Sequence, residues 1–145
     1  MIDSGHLLLQ SVVAPLIASP IVMVLGRRLG RRVGWIALIP LAYSLSCLLA
    51  AGYLVHVFSS PLQATYPWAQ LLGDIILFFD GLSGAVALTI AAVGILACIY
   101  SITYMDLRDG WGGYFSLYLL FNTGMLGTVL SVNLAIFFLF LELML

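Results

Sequence analysis

The sequence has 145 residues, of which 63% are hydrophobic and only 8% are charged, and its mean hydropathy is +1.18. Soluble domains carry roughly a quarter charged residues, so this composition excludes an ordinary soluble domain and predicts an all-α integral membrane protein. The net charge of −1, with so few charged residues, gives no support for a nucleic-acid partner, and none is predicted.

The first two predicted spans are residues 7–25 and 35–58, each close to the roughly 20 residues that cross a bilayer. Between them, residues 26–34 carry four of the five arginines of the chain, at positions 27, 28, 31 and 32. Short loops rich in Lys or Arg stay on the cytoplasmic side of a membrane. We therefore expect the Arg27–Arg32 loop to be cytoplasmic and the N-terminus to lie outside.

Residues 59–81 are predicted to form an outside loop or hairpin and not a span. Pro61, Pro67 and Gly73 interrupt this stretch, and residues 75–79 favour β-structure. At its end, Asp80 precedes a helical pattern at the position of a helix cap, and Ser83 follows three residues later. Asp80 and Ser83 are thus predicted to make the turn into the next helix.

The third predicted span, residues 82–104, contains a regular stripe of small side chains. Steps of three and four residues alternate along this stripe, which consists of Gly84, Ala87, Ala91, Gly94, Cys98 and Ser101. Small residues on one face let membrane helices approach closely. We expect this face to pack on protein.

The fourth predicted span, residues 114–130, has a polar residue, Asn122, near its middle. An interhelical hydrogen bond is one role for Asn122, and lining a water path is another. Ser101 in the third span and Asn133 in the turn after the fourth are further candidates for helix packing or for a hydration path. Cys47 and Cys98 lie in apolar runs, where cysteine behaves as a small hydrophobe, and we predict no metal site and no cofactor.

The fifth apolar stretch, residues 134–145, contains one carboxylate, Glu142. Glu142 lies nine residues after Asn133, about 14 Å along a helix, and half of the hydrocarbon core is about 15 Å. An acid near the midplane is costly and is by default a functional residue, such as a proton or ion relay. Twelve residues reach only about 18 Å, so this span is incomplete, and we expect the sequence to be the front of something longer or to dock to a partner.

Five short motifs in order and at matching spacing carry a family resemblance: Asp80-Gly81-Leu82-Ser83, Tyr100-Ser101-x-x-Tyr104-Met105, Tyr114-Phe115, Leu126-Gly127-x-Val129-Leu130-Ser131-x-Asn133 and Phe138-Leu139-Phe140-x-Glu142-Leu143. Together they closely resemble the N-terminal part of the antiporter-like subunits shared by respiratory complex I, Mrp-type cation/proton antiporters and membrane-bound hydrogenases.

The resemblance implies a role for Glu142. It is similar to the fifth-helix glutamate of that family, which pairs with a lysine on a later, broken helix and whose protonation is coupled to ion movement. This chain contains no lysine. The missing helices and the lysine are therefore expected from elsewhere in a multisubunit complex of the cell (inner) membrane.

Two functions are open at this point. The first is translocation of protons, sodium ions or both, with Glu142 as the coupling carboxylate. The second is a structural membrane subunit that seals or scaffolds a partner and does not conduct ions itself. An enzyme site of its own has little support in the sequence, because no phosphate loop, paired metal-ligand spacing or nucleophile–base arrangement occurs. If the chain is a subunit of a cation-translocating oxidoreductase, the redox chemistry is expected in partner subunits.

Overall fold

The computed structural model describes residues 5–69, 73–105 and 110–145. The chain is mostly helical, and its elements in order are α1 (Gly5–Leu29), a 3-10 turn (Gly30–Arg32), α2 (Val33–Phe58), β1 (Leu62–Ala69), β2 (Gly73–Phe79), α3 (Gly81–Tyr104), α4 (Trp111–Leu130) and α5 (Leu134–Met144).

Two helical segments of the described ranges are long and apolar enough to cross a membrane. One is Gly5–Phe58, which contains α1 and α2 and includes an 18-residue stretch with a mean hydropathy of 2.1, and the other is Gly81–Tyr104, which includes an 18-residue stretch with a mean hydropathy of 2.4. The shorter apolar helix Leu134–Met144 is α5. Large apolar side chains such as Ile39 and Leu96 are exposed on the outside of the helices, as expected where lipid replaces water.

The connection between α1 and α2 is shorter than the predicted loop, because helix continues through most of residues 26–34. The chain reverses at the 3-10 turn, where Gly30 adopts a positive φ of 53° that glycine tolerates without steric cost. α2 then packs back along α1. The Tyr43 hydroxyl donates a hydrogen bond of 2.9 Å to Gln10 Oε1 across the two helices.

The prolines of α1 show how the neighbouring helix compensates for a missing backbone donor. Pro15 has no N–H, so the carbonyl of Ser11, four residues earlier, loses its partner within the helix. The hydroxyl of Ser44 on α2 donates a hydrogen bond to that carbonyl. Satisfying freed backbone groups from an adjacent helix is what makes proline tolerable in lipid.

The backbones of α1 and α4 are in direct contact where two glycines meet. A Cβ atom on Gly26 would lie 2.1 Å from the Cα of Gly112, so neither position has room for a side chain. Further along the same interface, the hydroxyls of Ser19 and Ser116 are 2.8 Å apart. α1 thus lies between α2 and α4 and contacts both.

The small-residue stripe predicted on α3 is confirmed. All six of its members are buried: Gly84, Ala87, Ala91, Gly94, Cys98 and Ser101. α3 contacts α2 and α4, and Gly84 lies against the Phe79 ring of β2. The large apolar side chains of α3, among them Leu82, Val93, Leu96 and Tyr100, are exposed.

The segment for which the sequence predicts a hairpin forms an antiparallel strand pair. Its register runs from Leu62↔Phe79 to Tyr66↔Ile75. The side chains of Leu77 and Phe79 are buried, which follows the two-residue period of a strand. We call the end of the bundle that carries this pair the hairpin end, and the opposite end, which carries the 3-10 turn, the arginine end.

The glycine contact between α1 and α4 generates a prediction. Gly112→Ala should lower the free energy of unfolding by about 1–3 kcal/mol through overpacking, since its Cβ would lie 2.6 Å from the carbonyl oxygen of Met23 and 2.9 Å from the Cα of Gly26. Thermal unfolding in detergent measures the effect. Gly113→Ala is the matched control, because a Cβ there meets nothing within 4 Å; equal destabilisation by both variants would contradict the packing argument.

Candidate functional site

Glu142 lies on the exposed face of α5. Leu134 and Phe138, which precede it by eight and four residues and share its face, are 68% and 52% exposed. Within the described ranges no hydrogen bond or ion pair joins the Glu142 carboxylate to another residue. The bundle therefore presents this acid outward, towards whatever surrounds these helices.

The rotation of α5 about its axis is determined by its opposite face. Ile136 is buried, and one and two turns later Phe140 and Met144 lie against glycines of α4. A Cβ on Gly127 would be 2.3 Å from the ring of Phe140, and a Cβ on Gly124 would be 3.0 Å from the Cβ of Met144. This glycine contact turns Glu142 away from α4.

The axial position of α5 is determined by the hairpin. Asn133 caps the helix, because its Oδ1 accepts a hydrogen bond of 3.0 Å from the backbone N–H of Ala135. Its Nδ2 donates to the carbonyl oxygen of Asp74 on β2, 3.1 Å away. The backbone N–H of Val132 donates to the carbonyl oxygen of Ile76 on the same strand at 3.0 Å. The start of α5 is thus tied to the hairpin end.

Asn122 is buried at the interface of α3 and α4, with 1% of its surface exposed. Its Nδ2 donates a 3.0 Å hydrogen bond to the carbonyl oxygen of Tyr118 in its own helix. Its Oδ1 has no hydrogen-bond donor within the described ranges and lies against Gly94, where a Cβ would be 2.3 Å away. The structure therefore places Asn122 in tight helix packing, with its hydrogen bond made inside α4.

The hydrogen bonds between α3 and α4 involve two tyrosines to which the sequence alone assigned no contact. The Tyr118 hydroxyl donates to the carbonyl oxygen of Gly94 at 2.5 Å, and the Tyr114 hydroxyl lies 2.9 Å from the Ser101 hydroxyl. Tyr114, Tyr118 and Asn122 follow one another at four-residue steps. This spacing could have predicted from the sequence that all three share one face of α4. We call these three residues the polar row.

A cavity of about 380 Å³ lies beside this polar row and is lined by Ile90, Val93, Gly94, Tyr118, Asn122 and Met125 together with neighbouring side chains. Its lining is almost wholly apolar, and an ordered water requires two to four polar partners. The cavity and the polar row belong to the α3–α4 interface, whereas Glu142 faces away from α4. The structure does not bring Ser101 or Asn122 together with Glu142.

Asp80 and Ser83 form a capping box at the start of α3. Asp80 Oδ1 accepts hydrogen bonds of 2.7 Å from the backbone N–H and from the hydroxyl of Ser83, and the backbone N–H of Asp80 donates to the Ser83 hydroxyl at 2.9 Å. The bond from the backbone N–H of Ser83, followed by that from its hydroxyl, holds the pKa of Asp80 below its usual range. These two residues order the helix start.

No group of three or more His, Cys, Asp or Glu side chains suited to a metal ion occurs among the residues that the structure describes. Cys47 and Cys98 are both buried free thiols. The described part of α5 carries one ionisable side chain, that of Glu142, and a carboxylate can exchange a proton or pair with a cation.

Comparison with known proteins supports the family resemblance. The family model for the N-terminus of chain 5 of NADH-ubiquinone oxidoreductase (complex I) matches residues 68–115. Subunit A1 of the Na(+)/H(+) antiporter of Staphylococcus haemolyticus is 34% identical over 135 residues, which are 92% of this chain and 17% of that protein. The corresponding subunit of Staphylococcus aureus is 32% identical over the same coverage.

A solved structure gives the same result. The Mrp complex from Dietzia sp. DQ12-45-1b contains a chain that superposes with a TM-score of 0.75 at 25% sequence identity, over 94% of this chain and 14% of that one. The predicted resemblance to the antiporter-like subunits of complex I and Mrp antiporters is confirmed, and so is the membrane class. The chain spans about one sixth of the length of the relatives it matches.

The capping box generates a pH prediction. Because the pKa of Asp80 is lowered in the folded chain, its contribution to stability is present above the pKa of the unfolded state and is lost as the pH falls through the folded-state value. We expect the thermal midpoint in detergent to fall over that acidic window. Asp80→Asn should flatten this part of the profile, whereas Asp74→Asn, at an exposed strand position without a described side-chain hydrogen bond, should leave it unchanged. A profile that Asp80→Asn does not alter would contradict the assignment.

Proposed function

Because the chain resembles the N-terminal portion of the antiporter-like membrane subunits, we propose that it works in the translocation of protons, sodium ions or both as part of a multisubunit membrane complex. Glu142 is the ion-coupling carboxylate in this proposal. The observation that carries the proposal is that α5 presents a single acid on an otherwise apolar, exposed face. The position of Glu142 along α5 supports the same role, because it lies nine residues after Asn133, the helix cap that is hydrogen-bonded to the hairpin. In the proposed topology this spacing brings the carboxylate towards the centre of the membrane.

The energetic argument concerns what surrounds the carboxylate. An ionised acid at the centre of a bilayer costs about 2.5–3.5 kcal/mol on insertion scales and more in hydrocarbon, so an outward-facing Glu142 needs a partner on the surface that covers α5 whenever it is ionised. A neighbouring cation favours the ionised form of a carboxylate, and an apolar environment favours the protonated form. Movement of that cation towards and away from Glu142 would therefore release and bind a proton.

The cation is proposed to come from another helix of the assembly. The chain has no lysine, and Arg27, Arg28, Arg31 and Arg32 lie around the 3-10 turn, whereas α5 begins at the hairpin end. None of these arginines forms an ion pair with Glu142 in the described ranges. The proposed partners are thus other membrane subunits, or helices beyond the portion of the relatives that this chain matches.

The test is cation/proton exchange in vesicles containing the assembled complex. Glu142→Gln keeps the shape of the side chain but cannot ionise, so we expect exchange to fall to the background of vesicles without the complex while the amount of assembled complex stays normal. Glu142→Asp, which keeps the charge on a shorter side chain, should retain partial exchange. Exchange at the wild-type rate in Glu142→Gln would refute the coupling role.

The structural alternative gives the opposite pattern in the same experiment. If α5 serves only to seal or scaffold a partner, its exposed apolar side chains carry the contact and Glu142 contributes a hydrogen bond across it. Glu142→Gln would then reduce assembly, and whatever complex formed would exchange ions normally. Leu139→Gln on the exposed side of α5 is the matched control for loss of apolar contact.

We also propose the topology of the chain: four spans formed by α1, α2, α3 and α4, with α5 as the first part of a fifth. The N-terminus lies outside, the arginine end is cytoplasmic, and the hairpin is outside. The basis is the bias of arginine towards one end of the bundle. The distance from the hairpin-bound Asn133 to the centre of the membrane follows from this arrangement.

Single cysteines test this orientation. A cysteine at exposed Ser60, next to β1, should react with a membrane-impermeant maleimide added to intact cells, and one at exposed Arg28 should react only after the membrane is opened. A background in which Cys47 and Cys98 are replaced by alanine removes the native thiols. Labelling in the reverse order would overturn the proposed orientation.

A further inference from the structure

The arginine end carries a cluster of cations that the proposed ion path does not use. Arg27, Arg28, Arg31 and Arg32 are all exposed. Arg31 is bonded to α3, because its Nε donates to the carbonyl oxygen of Ile102 at 2.6 Å and its Nη2 to that of Thr103 at 3.0 Å. The other three arginines make no hydrogen bond or ion pair within the part of the chain that the structure describes. We call Arg27, Arg28 and Arg32 the free arginines.

The free arginines are attached to a fixed platform. Arg27 directly follows Gly26, whose backbone is packed against Gly112 of α4. Arg32 directly follows Arg31, whose guanidinium group is bonded to the last turn of α3. The backbone that carries the three side chains is therefore held by two other helices, which reduces the ordering cost of binding a ligand.

Aromatic side chains of interfacial type surround the same platform. Trp35, three residues after Arg32, is 61% exposed, and Tyr104, next to the Thr103 carbonyl that binds Arg31, is 73% exposed. Trp and Tyr are enriched where the hydrocarbon meets the headgroups of a bilayer. Their positions place the free arginines at headgroup level, where long side chains extend from the helix ends into the polar layer.

Charge is separated along the bundle. The described carboxylates outside α5 are Asp74 and Asp80, and both lie at the hairpin end. The described residues of the arginine end include four arginines and no carboxylate. Residues 106–109, which lie outside the described ranges, contain one arginine and two aspartates. If they are counted with this end, five positive and two negative charges still give a net charge of +3. An anionic ligand is the complement of this end.

We propose that the free arginines bind the phosphate groups of anionic phospholipids. A guanidinium group matches phosphate oxygens with two parallel hydrogen bonds, and clusters of four or more basic residues next to a membrane helix attract anionic headgroups. The neighbouring Trp35 and Tyr104 favour a lipid over free phosphate, because they place the site where headgroups already lie. The site is separate from Glu142, so either proposal can fail without the other.

The test uses the membrane complex that contains the full chain, stripped of lipid and titrated with phosphatidylglycerol or with phosphatidylcholine of the same acyl chains, with bound lipid counted by native mass spectrometry. We expect selective retention of phosphatidylglycerol. Each basic residue near an anionic surface contributes roughly five-fold in affinity, so replacing the three free arginines by glutamine should weaken retention about a hundred-fold. Replacing all three by lysine should give an intermediate loss, since charge remains but the two-pronged geometry is lost.

The single variants Arg27→Gln, Arg28→Gln and Arg32→Gln keep the test valid if the triple variant assembles poorly. Equal retention of the two lipids would overturn the proposal, and so would unchanged retention in the glutamine variants, the result expected if an acidic segment of a neighbouring subunit covers the patch. Displacement of phosphatidylglycerol by millimolar inorganic phosphate would show a general anion site and would overturn the assignment to lipid.

Discussion

Close approach of helix backbones at small residues is the constraint on which this structure depends. Lipid tails are as apolar as the side chains they touch, so membrane helices gain little by hiding hydrophobic surface and instead associate through dense packing and hydrogen bonds. Gly26 on Gly112 brings α1 against α4, the small-residue face of α3 receives α2 and α4, and Gly127 receives Phe140 from α5. At each contact the backbone itself is the packing surface, and each contact fixes how one helix is rotated against the next.

The same kind of contact determines where the chain directs its acid. Packing of Phe140 into Gly127 fixes the rotation of α5, and the hydrogen bonds from Val132 and Asn133 to β2 fix its position along the axis. Rotation and position together place Glu142 on the outer face of the bundle, nine residues beyond the cap. The hairpin lies at one end of the molecule, but because it holds the start of α5 it also determines how far the carboxylate lies from that end.

Local patterns predicted much of this architecture. The stripe on α3 was predicted residue by residue, because steps of three and four define one helix face independently of what packs on it. The arginines show where such reasoning stops. A run of four arginines predicts a solvated loop, but Arg31 bonds the carbonyls that end α3, seventy-one positions away, and much of the run is helical. An interhelical hydrogen bond is one of the two roles that the sequence leaves open for Asn122, and in the structure Tyr118 makes the bond to the neighbouring helix. Which of two polar residues on one face reaches the neighbouring helix depends on side-chain length and helix separation, and the separation of two helices is not a local property of the sequence.

Polar groups inside the bundle show which contacts Glu142 would make if its role were to stabilise these helices. The Ser11 carbonyl freed by Pro15 is satisfied by Ser44, Ser19 pairs with Ser116, and the Thr123 hydroxyl returns to the Leu119 carbonyl of its own helix. A carboxylate costs more to bury than any of these groups, yet the packing of α5 turns it outward. A structural role and a coupling role both require a partner on the surface that covers α5. They differ in whether that partner stays in place: a fixed partner leaves the proton affinity of the carboxylate constant, whereas a cation that approaches and withdraws changes it and so couples its own movement to proton release and binding.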